Sequence, residues 1–412
     1  MKRVFQRSSS KIIESKIPME ELEKQVNKGK ELIMDQHLPL LLDLNKYIEE
    51  YIKTHKRIIY GGTAVSMLIK AKDKTYKTPD FLDYDFYTPN NEFDSISIAN
   101  ILYDAKYKYV RRIPALHPNT YRIGAEFAPE FVADITLIPE EQYEKIPKIL
   151  IDGLFYIDPQ YAKIDLYVSV SNPHTNTNRW IKALKRVQTL ERLYPLSFNK
   201  LETIKENKIQ KEILKKYSKL LDGAFITGLG AYNLIYKENQ IENNIIEAYV
   251  LQIPNLPKGY TILERGPYLD IFEKYYEVYT KGGIHIITFY IIGAQCLSHV
   301  KAGGHKIVSY FYLLRFLYIK YNETKENKYA FAINCLLNPA KNKEDDIEFS
   351  ILPLCYEAPS YPYCIFDTNC TTKDKEEVRL APYSRFFYGT EMVKGYKPEK
   401  KYIEPEGGNE SI

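Results

Sequence analysis

The chain contains no long hydrophobic run. None reaches the roughly 18 apolar residues that a membrane-spanning helix needs, and the nearest candidate, Ile284 to Ala294, is short and carries His285. The basic start, Met1-Lys2-Arg3-Val4-Phe5-Gln6-Arg7, is followed by no apolar segment of the signal-peptide type, so neither a membrane location nor secretion is expected. Cysteine is scarce as well. Cys296, Cys335, Cys355, Cys364 and Cys370 are odd in number and match no common zinc or redox spacing, which argues for free thiols in a reducing compartment. A net charge of +4 over 412 residues is too slight to announce a nucleic-acid partner by itself. No internal repeat is evident.

What the chain does have is an ordinary globular balance, 45% hydrophobic and 27% charged, at a length that accommodates two domains. Its 37 tyrosines invite a base-stacking reading, although an A+T-rich coding sequence produces the same bias. Residues 1–35 read as an arm, with a helical pattern from Met19 to Ile33 after Pro18. A second amphipathic helix is expected over Leu38 to Thr54. From there strands and helices alternate to about residue 195. The strand Arg57–Tyr60 is followed by a helix over Thr63–Lys70, and a helix is expected near Ile96–Lys106. Tyr107–Ile113, Tyr121–Phe127 and Ala162–Val170 all carry strand-like patterns, and Arg179–Arg192 has a basic helical one. Such alternation implies a mixed α/β, or α+β, layered fold. The texture changes near residue 196. Lys205–Leu221 reads as a lysine-rich helix and Ala224–Tyr236 as an apolar one, and a long apolar and aromatic region runs from Ile284 to Lys320. The expected organisation is therefore an arm (1–35), a first domain (36–195), a second (196–390) and a disordered tail (391–412).

Three short stretches carry the chemistry. Ile58-Ile59-Tyr60-Gly61-Gly62-Thr63 empties a strand into two glycines and a helix start, where backbone N–H groups can face an anion. In Leu82-Asp83-Tyr84-Asp85-Phe86-Tyr87, two carboxylates two residues apart fall on one face of a strand. Asp134, inside Phe131-Val132-Ala133-Asp134-Ile135-Thr136, is a carboxylate in an apolar strand, costly unless something pairs with it, and a Mg²⁺ ion is a suitable partner. On pattern alone Asp165 competes for that third place. Either motif taken singly is common, as a tight turn or as a solvated acidic pair. In this order they describe a two-metal site for nucleotidyl transfer. Lys108, Arg111 and Arg112 on one strand, and Arg179, Lys182, Lys185 and Arg186 on the basic helix, are candidates to grip phosphates, with a solvated face as the competing reading. His117 and His174 are read as structural.

Together Tyr60-Gly61-Gly62, Asp83 to Asn90 and Val132-Ala133-Asp134 resemble the poly(A) polymerase catalytic subunits of large cytoplasmic DNA viruses, of the African swine fever virus and mimivirus type and more distantly the poxvirus type. Leu116 to Arg122, Asp158-Pro159-Gln160-Tyr161, Gly230-Ala231-Tyr232 and Ser384 to Gly389 support the likeness, which is dense only up to Pro195. Twenty residues separate Gly62 from Asp83, a long insertion that this viral branch tolerates. The resemblance implies a polymerase-beta-like nucleotidyltransferase domain followed by a degenerate transferase-like domain without an active site. It implies template-independent addition of adenylates from ATP to mRNA 3′ ends, with Mg²⁺ or Mn²⁺ as cofactor. It maps the catalytic and metal-binding carboxylates onto Asp83, Asp85 and Asp134, in preference to Asp165, and the nucleotide loop onto Gly61, Gly62 and Thr63. It also implies a homodimer, or a heterodimer with a processivity subunit, acting in the virion and host cytoplasm. Two other readings compete: a nucleotidyltransferase with a different acceptor (tRNA, a small molecule or a protein), and a non-catalytic RNA-binding or processivity subunit.

Overall fold

The computed structural model describes residues 19–115, 119–126, 128, 130–171, 178–236, 239–266, 274–291, 297, 299–338 and 386–388. Among the described residues the first elements are α1 (Met19–Thr54), β1 (Ile58–Ile59), α2 (Gly61–Lys72), β2 (Tyr84–Thr88), α3 (Asn91–Asp104), β3 (Val110–Pro114), β4 (Thr120–Gly124) and β5 (Ala133–Leu137). The one-turn α4 (Glu140–Tyr143), the hairpin β6 (Lys148–Ile151) and β7 (Leu154–Ile157), and the helices α5 (Pro159–Ser171) and α6 (Asn178–Leu193) follow. Next come α7 (Lys208–Lys216), β8 (Phe225–Thr227), α8 (Gly228–Ile235), β9 (Ile246–Val250), β10 (Thr261–Arg265), β11 (Tyr275–Tyr279) and β12 (His285–Ile291). The hairpin β13 (His299–Ala302) and β14 (His305–Val308), the helices α9 (Tyr310–Thr324) and α10 (Asn327–Leu337), and β15 (Phe386–Tyr388) come last among them. The expected fold class holds: a mixed α/β chain built on two mixed sheets.

The sheets run β15-β3-β4-β5-β2-β1-β7-β6 and β10-β11-β12-β9-β8-β14-β13. Apart from β15 the two orders are the same, and so are the strand directions. The β2/β5 and β1/β7 pairs are parallel, as are β9/β12 and β8/β14, while the remaining neighbours are antiparallel in both sheets. The sequence shows no internal repeat, yet the two sheets share one topology, in line with the degenerate transferase-like second domain that the resemblance implied. The repeat lies in topology, which depends on which positions are buried rather than on which apolar residue fills them.

Local readings are adjusted too. The two expected N-terminal helices are one, α1, with Pro39 inside it; its second half buries Leu41, Leu44, Ile48 and Ile52. The strand read over Ala162–Val170 is the helix α5. Most of its residues are buried, so it lacks the polar stripe that marks a surface helix and imitates a buried strand. Asp158 and Pro159 start it: the Asp158 carboxylate accepts from the Gln160 N–H at 2.8 Å, and proline suits a first helical position. The apolar helix expected over Ala224–Tyr236 splits into β8 and α8. Residues 386–388, placed by the sequence with the second domain, pair with β3 of the first sheet. The arm up to residue 18, His117, His174 and the tail from 391 lie outside the described residues, as do all the cysteines except Cys335.

The halves meet where α5 packs against α6 and α9. There the buried Lys163 ammonium donates to Glu191 at 2.7 Å and to the Tyr194 carbonyl at 2.8 Å, and the Tyr318 hydroxyl from α9 donates to the same carboxylate.

Candidate active site

The glycine turn is built as its residues require. Gly61 takes φ +66°, a left-handed conformation that costs a residue with a Cβ but not glycine. A Cβ there would also collide with Oδ2 of Asp85, so the glycine is what lets the turn lie against that carboxylate. The Tyr60 N–H donates to the Asp85 carbonyl at 2.8 Å, fastening the two strands at this corner. Helix α2 begins at Gly61 with no side-chain cap, so its first N–H groups point where an anion can take them. Thr63 is buried, and its hydroxyl donates to the Asp83 carbonyl at 2.5 Å. Its visible role is to pin the turn to the acidic strand.

Asp85 on β2 and Asp134 on β5 are paired in register on adjacent parallel strands, which puts them on one face. Asp83 precedes β2 and is exposed. Burial pushes the Asp85 carboxyl well above its ordinary range. The negative charges of Asp83, Asp134 and Asp165 add to this, and Arg122 opposes it. Asp165 thus enters the same field, from helix α5 rather than from a strand. Beneath them the Tyr60 hydroxyl reaches Thr136 Oγ1 at 2.8 Å, and burial followed by the Asp85 charge raises its pKa strongly. Asp134 has a protein partner. Nε and Nη2 of Arg122 on β4 donate to its two oxygens at 2.7 and 2.8 Å, and this pairing holds the guanidinium pKa above its usual value. Among the described residues, no three His, Cys, Asp or Glu side chains stand close enough as placed to hold a metal ion. Arg122 was absent from the expected site. The available signal was its position on the strand next to Asp134, visible only once β4 and β5 are paired.

On the other side stands α6. The Arg186 guanidinium covers Gly62, where a Cβ would meet its Nη2 at 3.2 Å. Burial lowers the Arg186 pKa while Tyr76, Asp83 and Asp85 act against that. Lys182 is lowered chiefly by its neighbour Arg186, against the pull of Asp83. Arg179 adds to the positive charge felt by both. The helix therefore turns a positive edge toward the aspartates. Arg112 is not brought to this place, whereas Arg111, two residues from Ile113 in the pair Ile113–Arg122, lies on the sheet face of Arg122 and Asp134. Arg112 is buried, pairs with Glu92 at 2.6 Å, donates to Ser95 Oγ at 2.6 Å and lies 3.5 Å over the Tyr121 ring. Arg111 donates to the Ala128 carbonyl at 2.8 Å and lies over Phe131, which Arg122 also covers. Arg112 braces the sheet.

Residues 46–176 match the family model of the poly(A) polymerase catalytic subunit. That segment holds the glycine turn, all three aspartates and Arg122. A mimivirus protein bearing that family name is 36% identical over 200 residues, 45% of this chain and 34% of the relative. An African swine fever virus counterpart (isolate Tick/Malawi/Lil 20-1/1983) is 28% identical over 197 residues, 46% of this chain and 40% of its own length. The chain thus spans well under half the length of these curated relatives. The crystal structure of the Megavirus polyadenylate synthase aligns with 82% of this chain and 77% of that one at a TM-score of 0.64; at 23% identity the likeness is one of fold. The resemblance drawn from the motifs is borne out.

The second sheet repeats the corner with a single acid, Glu247. Gly228 at the start of α8 has φ +61°, and a Cβ on it would collide with Oε2 of Glu247, as on Gly61 with Asp85. Glu247 sits in register with Thr227 on one side and with Thr288 on the other, so Thr288 stands where Asp134 does and Ile245 where Asp83 does. That Cβ would also come within 3.1 Å of Phe316 on α9. Burial raises the Glu247 pKa, and the Lys320 ammonium, 3.8 Å away, opposes it. Lys320 also pairs with Glu323 at 2.6 Å. The acidic site has carboxylates to spare, while its copy holds an ammonium of its own.

As to a cation, the oxygens of Asp83 and Asp85 are hard donors suited to Mg²⁺ or Mn²⁺, and the crowding of like charge on Asp85 is what such an ion relieves. Asp134 is held by Arg122 in the arrangement described.

Proposed function

We propose that this chain is a template-independent polymerase that transfers AMP from ATP to RNA 3′ ends, those of mRNA in particular, and releases pyrophosphate. The observation that supports it most is Asp85 and Asp134 side by side on parallel strands, with Gly61 packed against Asp85 and Arg186 over Gly62. In this reading the first N–H groups of α2, freed of a side-chain cap, receive triphosphate oxygens. Arg186 and Lys182 neutralise their charge, with Arg179 at the rim. Asp83 and Asp85 hold Mg²⁺ or Mn²⁺, with Asp134 as the third carboxylate of a two-metal site. When bound, these ions make the 3′-hydroxyl more acidic and stabilise charge at the α-phosphorus and on the leaving pyrophosphate. Arg122 keeps Asp134 in one orientation beside the acceptor.

By the same reading the catalytic unit spans residues 36–195 and the second domain 196–390. The assembly is a homodimer or a heterodimer with a processivity subunit, and the place of action is the virion and host cytoplasm. Among the described residues no helix is long and apolar enough to cross a membrane.

Labelled ATP and an oligo(A) primer, incubated with the purified chain and Mg²⁺ or Mn²⁺, test the proposal. A ladder of lengthened primers is expected. A single AMP placed on some other acceptor would make the chain a different nucleotidyltransferase. Primer binding with no incorporation would make it a non-catalytic RNA-binding subunit.

A further inference from the structure

Far along the chain from the aspartates, α7, the turn Pro257–Tyr260 and the hairpin turn Thr280–Gly283 enclose a groove of about 750 Å³. Three lysines line it, one from each wall: Lys216, Lys258 and Lys281. All three are exposed, and among the described residues none is engaged in an ion pair, whereas Lys211 on the same helix is paired with Glu206. Glu212 is the one carboxylate on the lining. Lys216 and Glu212 belong to a basic segment. Residues 205–219 contain six lysines and two glutamates, so this stretch alone equals the +4 of the entire chain.

The groove is also aromatic and apolar. Tyr260 is partly exposed and meets Tyr217 edge to face at 6.0 Å, and the Lys216 ammonium lies 5.4 Å over the Tyr217 ring. Ile284 is 65% exposed and Ile209 46% exposed, apolar surface left open between the cations. Both lysine-bearing turns are fixed in advance. Tyr260 N–H donates to the Pro257 carbonyl at 3.2 Å and Gly283 N–H to the Thr280 carbonyl at 2.9 Å, while the Lys281 stem crosses Gly259, where φ is +89°. Cations spaced around an apolar, tyrosine-bearing floor match a ligand that alternates anionic links with flat apolar rings. Single-stranded nucleic acid is such a ligand. An acidic protein segment matches the cations but not the open ring surface.

We infer that this groove in the second domain binds single-stranded RNA, holding a stretch of the acceptor strand away from the aspartates. The inference rests on the polymerase reading for the identity of its strand, and the test separates the two. Binding of a fluorescent 20-nucleotide oligo(A) to the full chain is measured by anisotropy at several salt concentrations, alongside primer extension. The reversal Lys216→Glu/Lys258→Glu/Lys281→Glu is expected to weaken binding at least tenfold. It should also flatten the dependence of log K on log salt by about two units, since each neutralised phosphate of a single strand contributes ~0.7. The same reversal at the exposed Lys24, Lys28 and Lys30 of α1 should leave both unchanged. A 5-bromouridine probe in the strand should crosslink to Tyr260, and a Tyr260→Leu chain, which keeps its charge, should lose that crosslink and bind less tightly. Ladders made normally by a triple variant that binds RNA as the native chain does would overturn the groove and spare the polymerase. RNA held through these lysines by a chain that adds no AMP would do the reverse. Capture of polyglutamate in place of oligo(A) would also overturn the inference.

Discussion

The two sheets present one corner twice, and the corners have diverged in charge rather than in backbone. Gly61 and Gly228 share a left-handed conformation and each abuts a strand carboxylate, yet Asp85 is crowded by other acids while Glu247 faces Lys320. A buried carboxylate requires a positive partner in either case. In the first sheet Arg122 takes Asp134, and Asp85 stands among further carboxylates. In the second the positive partner is built in, and Phe316 closes the approach. The backbone of the corner therefore does not fix its charge; the crowding of carboxylates is what distinguishes one half from the other.

The largest break in this comparison comes from removing the charge itself. Asp85→Asn should reduce AMP incorporation at least ~10³-fold, equivalent to about 4 kcal/mol of transition-state stabilisation. Glu247→Gln should leave incorporation within a factor of two. Primer-extension rates, with thermal melts to show that both chains remain folded, measure this, and equal losses at the two positions would erase the distinction.

Next in size is the lysine that fills the second corner. Lys320→Met leaves Glu247 buried without its nearest cation and should cost about 3 kcal/mol of stability. The sign of its pH dependence follows from the raised Glu247 pKa. Without Lys320 the folded Glu247 pKa rises above its already raised native value, so the deficit of the variant is absent at low pH and grows as pH rises through the native folded value toward the variant's higher one. Denaturant titrations across that range check the slope. Lys320→Met combined with Glu247→Gln should abolish it.

The smallest effect expected is at Arg122. It is a positioning residue, since it acts through Asp134, and Arg122→Ala should slow incorporation by about 10–100-fold, in the range seen for groups that orient metal ligands. The Mg²⁺ concentration for half-maximal rate should move with it, and Arg122→Lys should recover only part of the loss, because an ammonium cannot reproduce the two-pronged bond. An unmoved Mg²⁺ dependence would reduce Arg122 to a brace for the sheet.

Much of the candidate site could be read before any strand was paired. The glycine turn and the Asp83-x-Asp85 spacing are local, and strand geometry converts such spacing into a shared face. Arg112 misleads for the converse reason. A charge on a strand looks available until the sheet that covers it is known, and Glu92, Ser95 and Tyr121 consume Arg112 from three other places in the chain. Helix α5 passed for a strand because its neighbours α6 and α9 bury the sides that would otherwise be polar. The repeat was invisible for a related reason: Phe316, Thr288 and Ile245 retain the layers of the fold while keeping none of the acidic pattern.

By itself the sequence determined the parts whose physics is settled by near neighbours: a turn only glycine can make, two acids two residues apart where a strand begins, a helix with a basic edge, and the absence of a membrane-length apolar run. Only the tertiary structure decided that Arg122 grips Asp134, that Arg186 covers Gly62, that Arg112 is spent inside the sheet and that Lys320 neutralises the second corner. Backbone preference acts over a few bonds. Ion pairing and desolvation depend on distance in space, and no spacing along the chain fixes that distance.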